Sequence, residues 1–132
     1  MKSRMFVLAL VGAFLFGMTA YAHHSFGALY SLDKQVKIEG RLLRFLNRNP
    51  HGFFHVEARD ESGQMQVWSV EGAAATQFAR SGISGDTFKI GDPVIITGNP
   101  TRNLKEKRLR LVSLERKSDG LSWGKKEGEI VD

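Results

Sequence analysis

Apolar and polar residues alternate over five stretches of this chain, and alternation of that kind predicts strands. From Val36 to Asn47 the period is two, with Val36 and Ile38 on one face. Gly40 then breaks the pattern and the Leu42-Leu43 pair shifts its phase, which predicts a bulge or sharp bend in a long first strand. Asn47-Arg48-Asn49-Pro50-His51-Gly52 reads as a turn, because Asn, Pro and Gly each favour turns for a separate conformational reason. Phe53–Arg59 is a second strand, Asp60-Glu61-Ser62-Gly63 a tight hairpin connection, and Met65–Val70 a third strand carrying Val67 and Trp68.

The alanine-rich run from Gly72 to Arg80 predicts the one helix, which Ser81-Gly82 ends. Gly91-Asp92-Pro93 leads into a fourth strand, Val94–Thr97, and Gly98-Asn99-Pro100 closes it. Arg108–Arg116 is the fifth, with Leu109 and Leu111 alternating against Arg108 and Arg110. The expected fold is mainly β: a five-stranded OB-like barrel with one short helix between strands 3 and 4. Curling is the simplest way for five half-apolar strands to bury their faces. A five-stranded sheet with the helix across one side is the alternative. Residues 118–132 are polar and Gly-rich and predict a flexible C-terminal tail, with Trp123 able to dock on the body.

The first 22 residues have a different pattern. Met1-Lys2-Ser3-Arg4 is a short basic head, Met5 to Met18 an almost unbroken apolar run, and Ala20-Tyr21-Ala22 a small-x-small cleavage site. This order predicts a cleaved signal peptide over 1–22 and a periplasmic protein. The rival reading, a retained anchor, needs about 20 apolar residues to span the hydrocarbon core, and Gly12 and Gly17 interrupt a shorter run here. The chain has no cysteine, so a lipid-modified signal is excluded and the domain must hold itself together by its core. Residues 23–117 then form an OB-like domain with an N-terminal arm.

The net charge is +5, and losing Lys2 and Arg4 with the leader reduces it to +3. Much of the excess lies late, where Arg102, Lys105, Lys107, Arg108, Arg110, Arg116 and Lys117 face only Glu106 and Glu115. A solvated strand edge protected by cations accounts for this. Weak contact with an anionic surface is the second reading.

The 4 histidines fall in two clusters, His23 with His24 and His51 with His55. Neutral imidazole is the commonest protein metal ligand and suits zinc and copper. Cleavage after Ala22 frees an amine on His23, so that amine and ring can chelate one ion, and a third nitrogen completes a histidine-brace copper site. In a regular strand His51 and His55 share a face but stand about 13 Å apart, so one ion takes both only if the turn folds His51 back. Glu57 shares that face, about 7 Å from His55. A site from His23, one of His51 or His55, and Glu57 requires the arm to lie across strand two. The structural alternatives are a mobile histidine arm, His51 bonding a carbonyl in the turn, and His55 half-buried beside Phe53. Glu71, at the strand-to-helix junction, favours the helix N-terminus electrostatically. Trp68 and Glu71 are the candidates for shaping the ligand face, Trp68 as a stacking platform, although core burial is the default for such an aromatic. No nucleophile triad spacing is recognisable, and Gly82 and Gly85 lack the lysine of a phosphate loop.

Three motifs resemble a family of small exported bacterial proteins of unknown function: Ala22-His23-His24-Ser25-Phe26 after the signal, Asn49-Pro50-His51 before an aromatic-rich strand, and Trp68-Ser69-Val70-Glu71 leading into a short helix. Gly91-Asp92-Pro93-Val94 and Gly98-Asn99-Pro100 resemble the family's closing strands, and the match covers nearly all of residues 22–115. The resemblance implies a periplasmic OB-like domain and no particular activity. Gly52-Phe53-Phe54 stands where relatives are expected to have Ala-Trp after the turn, so the face beside His51 differs.

The leading expectation is therefore a non-enzymatic periplasmic binding module for a copper or zinc ion or a small ligand. Its metal ligands would be His23 and His51 first, His24 and His55 second. The rival is an envelope interaction or accessory protein using the barrel face without an ion. A copper oxidase built on a histidine brace is a remote third, and export argues against a nucleic-acid partner despite the basic face.

Overall fold

The structure, a computed structural model, describes residues 26–124. The expected signal peptide, His23 and His24 lie outside the described residues, as does the chain after Gly124.

Six strands and one helix follow in the order β1 (Val36–Leu46), β2 (Phe53–Arg59), β3 (Met65–Glu71), α1 (Ala75–Arg80), β4 (Pro93–Pro100), β5 (Arg108–Arg116) and β6 (Ser122–Gly124). Their order in the sheet is β3-β2-β1-β4-β5-β6, and a further pairing of β3 with β5 closes the first five strands into a barrel. The closing pair is parallel, with Ser69, Val70 and Glu71 opposite Arg108, Leu109 and Arg110. This is the OB arrangement, with the short helix between strands 3 and 4.

Alternation puts Phe54, Val56, Trp68, Val70, Leu109 and Leu111 inside, each buried. It leaves Phe53, His55 and Glu57 on the outer face of β2. The irregularity expected in β1 is present at the leucine pair that shifts its phase. The register against β2 slips between Leu42 and Arg44, at the adjacent leucines. Gly40 has another role: a Cβ there would collide with the carbonyl oxygen of Glu57, so the missing side chain lets β1 and β2 approach at the bend.

The helix is shorter than its alanine-rich sequence predicts. It begins at Ala75, with Ala74 offering no side-chain cap. Six residues cannot sustain a helix in water, and tertiary burial holds this one. Phe78 has no exposed surface and meets Phe45, Phe54 and Trp123 edge-on. Full burial of such a side chain contributes about 1.5–3 kcal/mol.

Two expectations need correction. Residues 122–124, placed by composition in a flexible tail, pair with β5 as β6, because Trp123 finds an apolar seat against Phe78 at 5.0 Å. Gly98-Asn99-Pro100, expected to close β4, belongs to it; a register slip between Thr97 and Gly98 accommodates the glycine.

Candidate functional site

Glu71 is the last residue of β3 and, by strand parity, turns outward from the barrel. It is nevertheless 9% exposed, because three elements cover it. Tyr30 Oη donates to its Oε2 at 2.5 Å, Arg108 Nη2 donates to the same oxygen at 3.0 Å, and His51 Nδ1 lies 2.7 Å from its Oε1. Burial raises the Glu71 carboxyl, but the hydrogen bonds from Tyr30, His51 and Arg108 outweigh it and hold the group below its ordinary 4.5. The carboxylate is thus ionised and accepts only, so the Nδ1 of His51 is the donor. In the neutral ring the lone pair then sits on Nε2. Burial and the adjacent carboxylate push the Tyr30 phenol up, which keeps it a donor.

The turn before β2 places His51. Gly52 exchanges backbone bonds with the segment after β3: its N–H donates to Ala73 and its carbonyl accepts from Gly72, each at 2.8 Å. A Cβ on Gly52 would stand 2.9 Å from the carbonyl oxygen of Leu46 and 3.2 Å from that of Ala73, so only glycine permits this approach.

The described part of the arm completes the site. Residues 26–29 form a helical turn, and Tyr30 bridges to Thr101. Ser31 N–H donates to the Pro100 carbonyl at 2.8 Å, and Arg102 donates to the Gly27 carbonyl through Nε at 2.9 Å and Nη2 at 2.7 Å. The arm therefore fastens to the end of β4 and the loop after it, rather than lying across β2. It delivers Phe26 to the face of His51, with ring centroids 5.3 Å apart. The Arg110 guanidinium lies over the Phe26 ring, 4.5 Å from its centroid. Phe26, His51, Glu71, Gln77, Arg110 and Trp123 all line one cavity of about 270 Å³.

Among the described candidates, the structure brings His51 and Glu71 together and leaves His55 and Trp68 apart. His55 faces outward from β2 opposite Ser69. Among the described residues no three His, Cys, Asp or Glu side chains gather as a metal site. Glu71 does not serve the helix N-terminus, since α1 starts four residues later and its carboxylate oxygens are engaged. Trp68 faces the interior, is 7% exposed, and lines a different cavity, so it is no platform beside the histidines. The late basic run is also more than a solvated edge: Arg108 pairs with Glu71, and Arg116 with Asp92 and Asp119.

A family model matches residues 13–110. The chain belongs to DUF6152, a family of unknown function. In this DUF6152 chain the three motifs that prompted the resemblance converge: Phe26 from the first, Pro50 and His51 from the second and Glu71 from the third line the same cavity. No curated protein matches the chain in sequence. Among solved structures, it is similar to the crystal structure of the mitochondrial single-stranded DNA binding protein of S. cerevisiae, Rim1, at 13% identity. That match covers 64% of this chain and 93% of that chain, with a TM-score of 0.47.

Tyr30, Arg108, Arg110 and Phe26 were absent from the sequence-derived site. Tyr30 sits in an aperiodic arm and Arg108 in a run of cations, 41 and 37 residues from Glu71 respectively. Local pattern has no access to pairs that distant.

Proposed function

We propose that this protein is a non-enzymatic binding module of the periplasm that holds a copper or zinc ion at His51. The carrying observation is the Glu71–His51 hydrogen bond at 2.7 Å beside the docked arm. A carboxylate on one imidazole nitrogen fixes the tautomer and raises the basicity of the other, the usual support for a metal-ligating histidine. The remaining donors come from His23 and His24. Phe26 touches His51, and three residues of extended chain reach at most about 10 Å. A terminus freed at His23 is therefore within range to place its amine and ring on the same ion.

A binding role suits the site better than catalysis. Glu71 already accepts from three donors, which take most of its roughly four lone-pair sites, so it is poorly placed as a general base. A nucleic-acid partner is likewise disfavoured, since Arg102, Arg108 and Arg116 are committed within the fold.

Calorimetric titration of the processed protein with copper and with zinc tests the reading. The expected result is one saturable site tighter than about 10 µM, weakened at least tenfold by His51→Ala or His23→Ala. No saturable binding, or equal affinity in both variants, refutes it.

A further inference from the structure

A second cavity lies at the opposite end of β2 and β3 from His51, between the start of β1, the β2–β3 hairpin and the loop after β4. Its volume is about 490 Å³, within the range of small-ligand sites. Val36, Ile38, Trp68, Pro100 and Leu104 give it apolar walls, and Leu104 is left 69% exposed beside it.

Two features point to the chemistry of an occupant. The Trp68 indole nitrogen is buried and has no hydrogen-bond partner. A buried N–H left unpaired is destabilising, and an indole nitrogen can only donate, so its partner must be an acceptor. The Lys107 ammonium stands 5.4 Å from the centroid of the same ring. Its nearest acid, Asp60, pairs with it at 3.7 Å through Oδ2, and that carboxylate has further donors. It accepts from the Ser62 hydroxyl, the backbone N–H of Ser62 and Gln64, and the Gln66 amide. Lys37 and Arg59 also line the cavity, as do Glu61 and Glu106, so with Lys107 and Asp60 its cations and acids balance.

We infer that this cavity binds a small amphipathic carboxylate, its apolar body against Val36, Ile38 and Leu104 and its headgroup on the Trp68 N–H and Lys107. A neutral acceptor satisfies the indole but gains nothing from the ammonium. A cation has no acceptor to offer the indole nitrogen, which can only donate. The site is independent of the metal reading at His51.

The chain has 2 tryptophans, so Trp123→Phe makes Trp68 the sole indole reporter. Octanoate, kept below its micellar concentration, is titrated against this variant while emission is followed. The expected result is a saturable change with a Kd below about 1 mM. Octanol should bind at least tenfold more weakly, and Lys107→Gln should cost octanoate at least fivefold. Lys107 is partly exposed, so this variant leaves the core unchanged; Val36→Phe, which narrows the cavity, should abolish the response. No saturable change with octanoate overturns the inference, as does equal binding of octanol or undiminished binding by Lys107→Gln and Val36→Phe.

Discussion

Glu71 joins three segments of chain through one carboxylate, so its protonation has consequences at each of them. Its folded carboxyl lies below the ordinary 4.5 because the donors around it outweigh burial. A depressed carboxyl contributes stability that is fully present above the ordinary value and is lost as pH falls through the folded one. Replacing Glu71 by Gln should therefore cost about 1–3 kcal/mol near neutral pH, the worth of charge-assisted bonds in a covered site. The cost should shrink as pH drops below 4.5. Thermal melts of both proteins across pH 3–7 check this, and a difference that does not vary with pH contradicts it. The same variant removes the carboxylate charge behind Nδ1 of His51 and leaves one amide oxygen to serve His51 or Tyr30 and Arg108 but not all three, so metal affinity should fall about 10–100-fold. Half of this couple was legible in the sequence. His51 is marked by its Asn-Pro-His turn and Glu71 by its place at the end of a strand. Nothing in either local pattern shows that they meet, because the contact depends on Gly52 pairing with the segment after β3.

At the scale of elements, the arm couples the terminus to the barrel. Its anchors are Asn99, which donates to the carbonyls of Lys34 at 2.7 Å and Leu32 at 3.3 Å, and Arg102, which grips Gly27. Replacing Arg102 by Ala should loosen residues 26–31 without opening the barrel. Hydrogen exchange at Tyr30 and Ser31 should quicken by about tenfold, roughly 1.4 kcal/mol of local stability, while β2 and β3 amides stay protected. Unchanged arm protection would show that other contacts hold it. If His23 and His24 are ligands as proposed, copper affinity should fall in the same variant, because residues 26–31 join them to the barrel. The strands were the most legible elements: Phe53–Arg59 and Arg108–Arg116 have the bounds their patterns predict. The arm and β6 were not, since an aperiodic segment and a three-residue strand owe their places to partners rather than to period. Tyr30 needs Glu71, and Trp123 needs Phe78.

Taken whole, the molecule is a small closed barrel whose two ends differ in chemistry. One carries an oriented imidazole beside the arm, the other an apolar cavity floored by an indole. Closure by β3 and β5 sets this division. The parallel pairing brings Arg108 and Arg110 beside Glu71, while strand alternation turns Trp68 inward, toward the other cavity. Barrel closure was foreseeable from strand number and alternation, but the separation of Trp68 from Glu71 required the strand's parity and twist in three dimensions. At the His51 end, a freed His23 and the oriented imidazole are proposed to share one ion. Native mass spectrometry of the protein recovered from periplasm, after addition of one equivalent of copper, tests it most directly. The predicted spectrum shows a chain beginning at His23 with one copper ion retained, and that ion lost in His51→Ala. A chain beginning at another residue, or a copper ion held equally well without His51, would contradict the account.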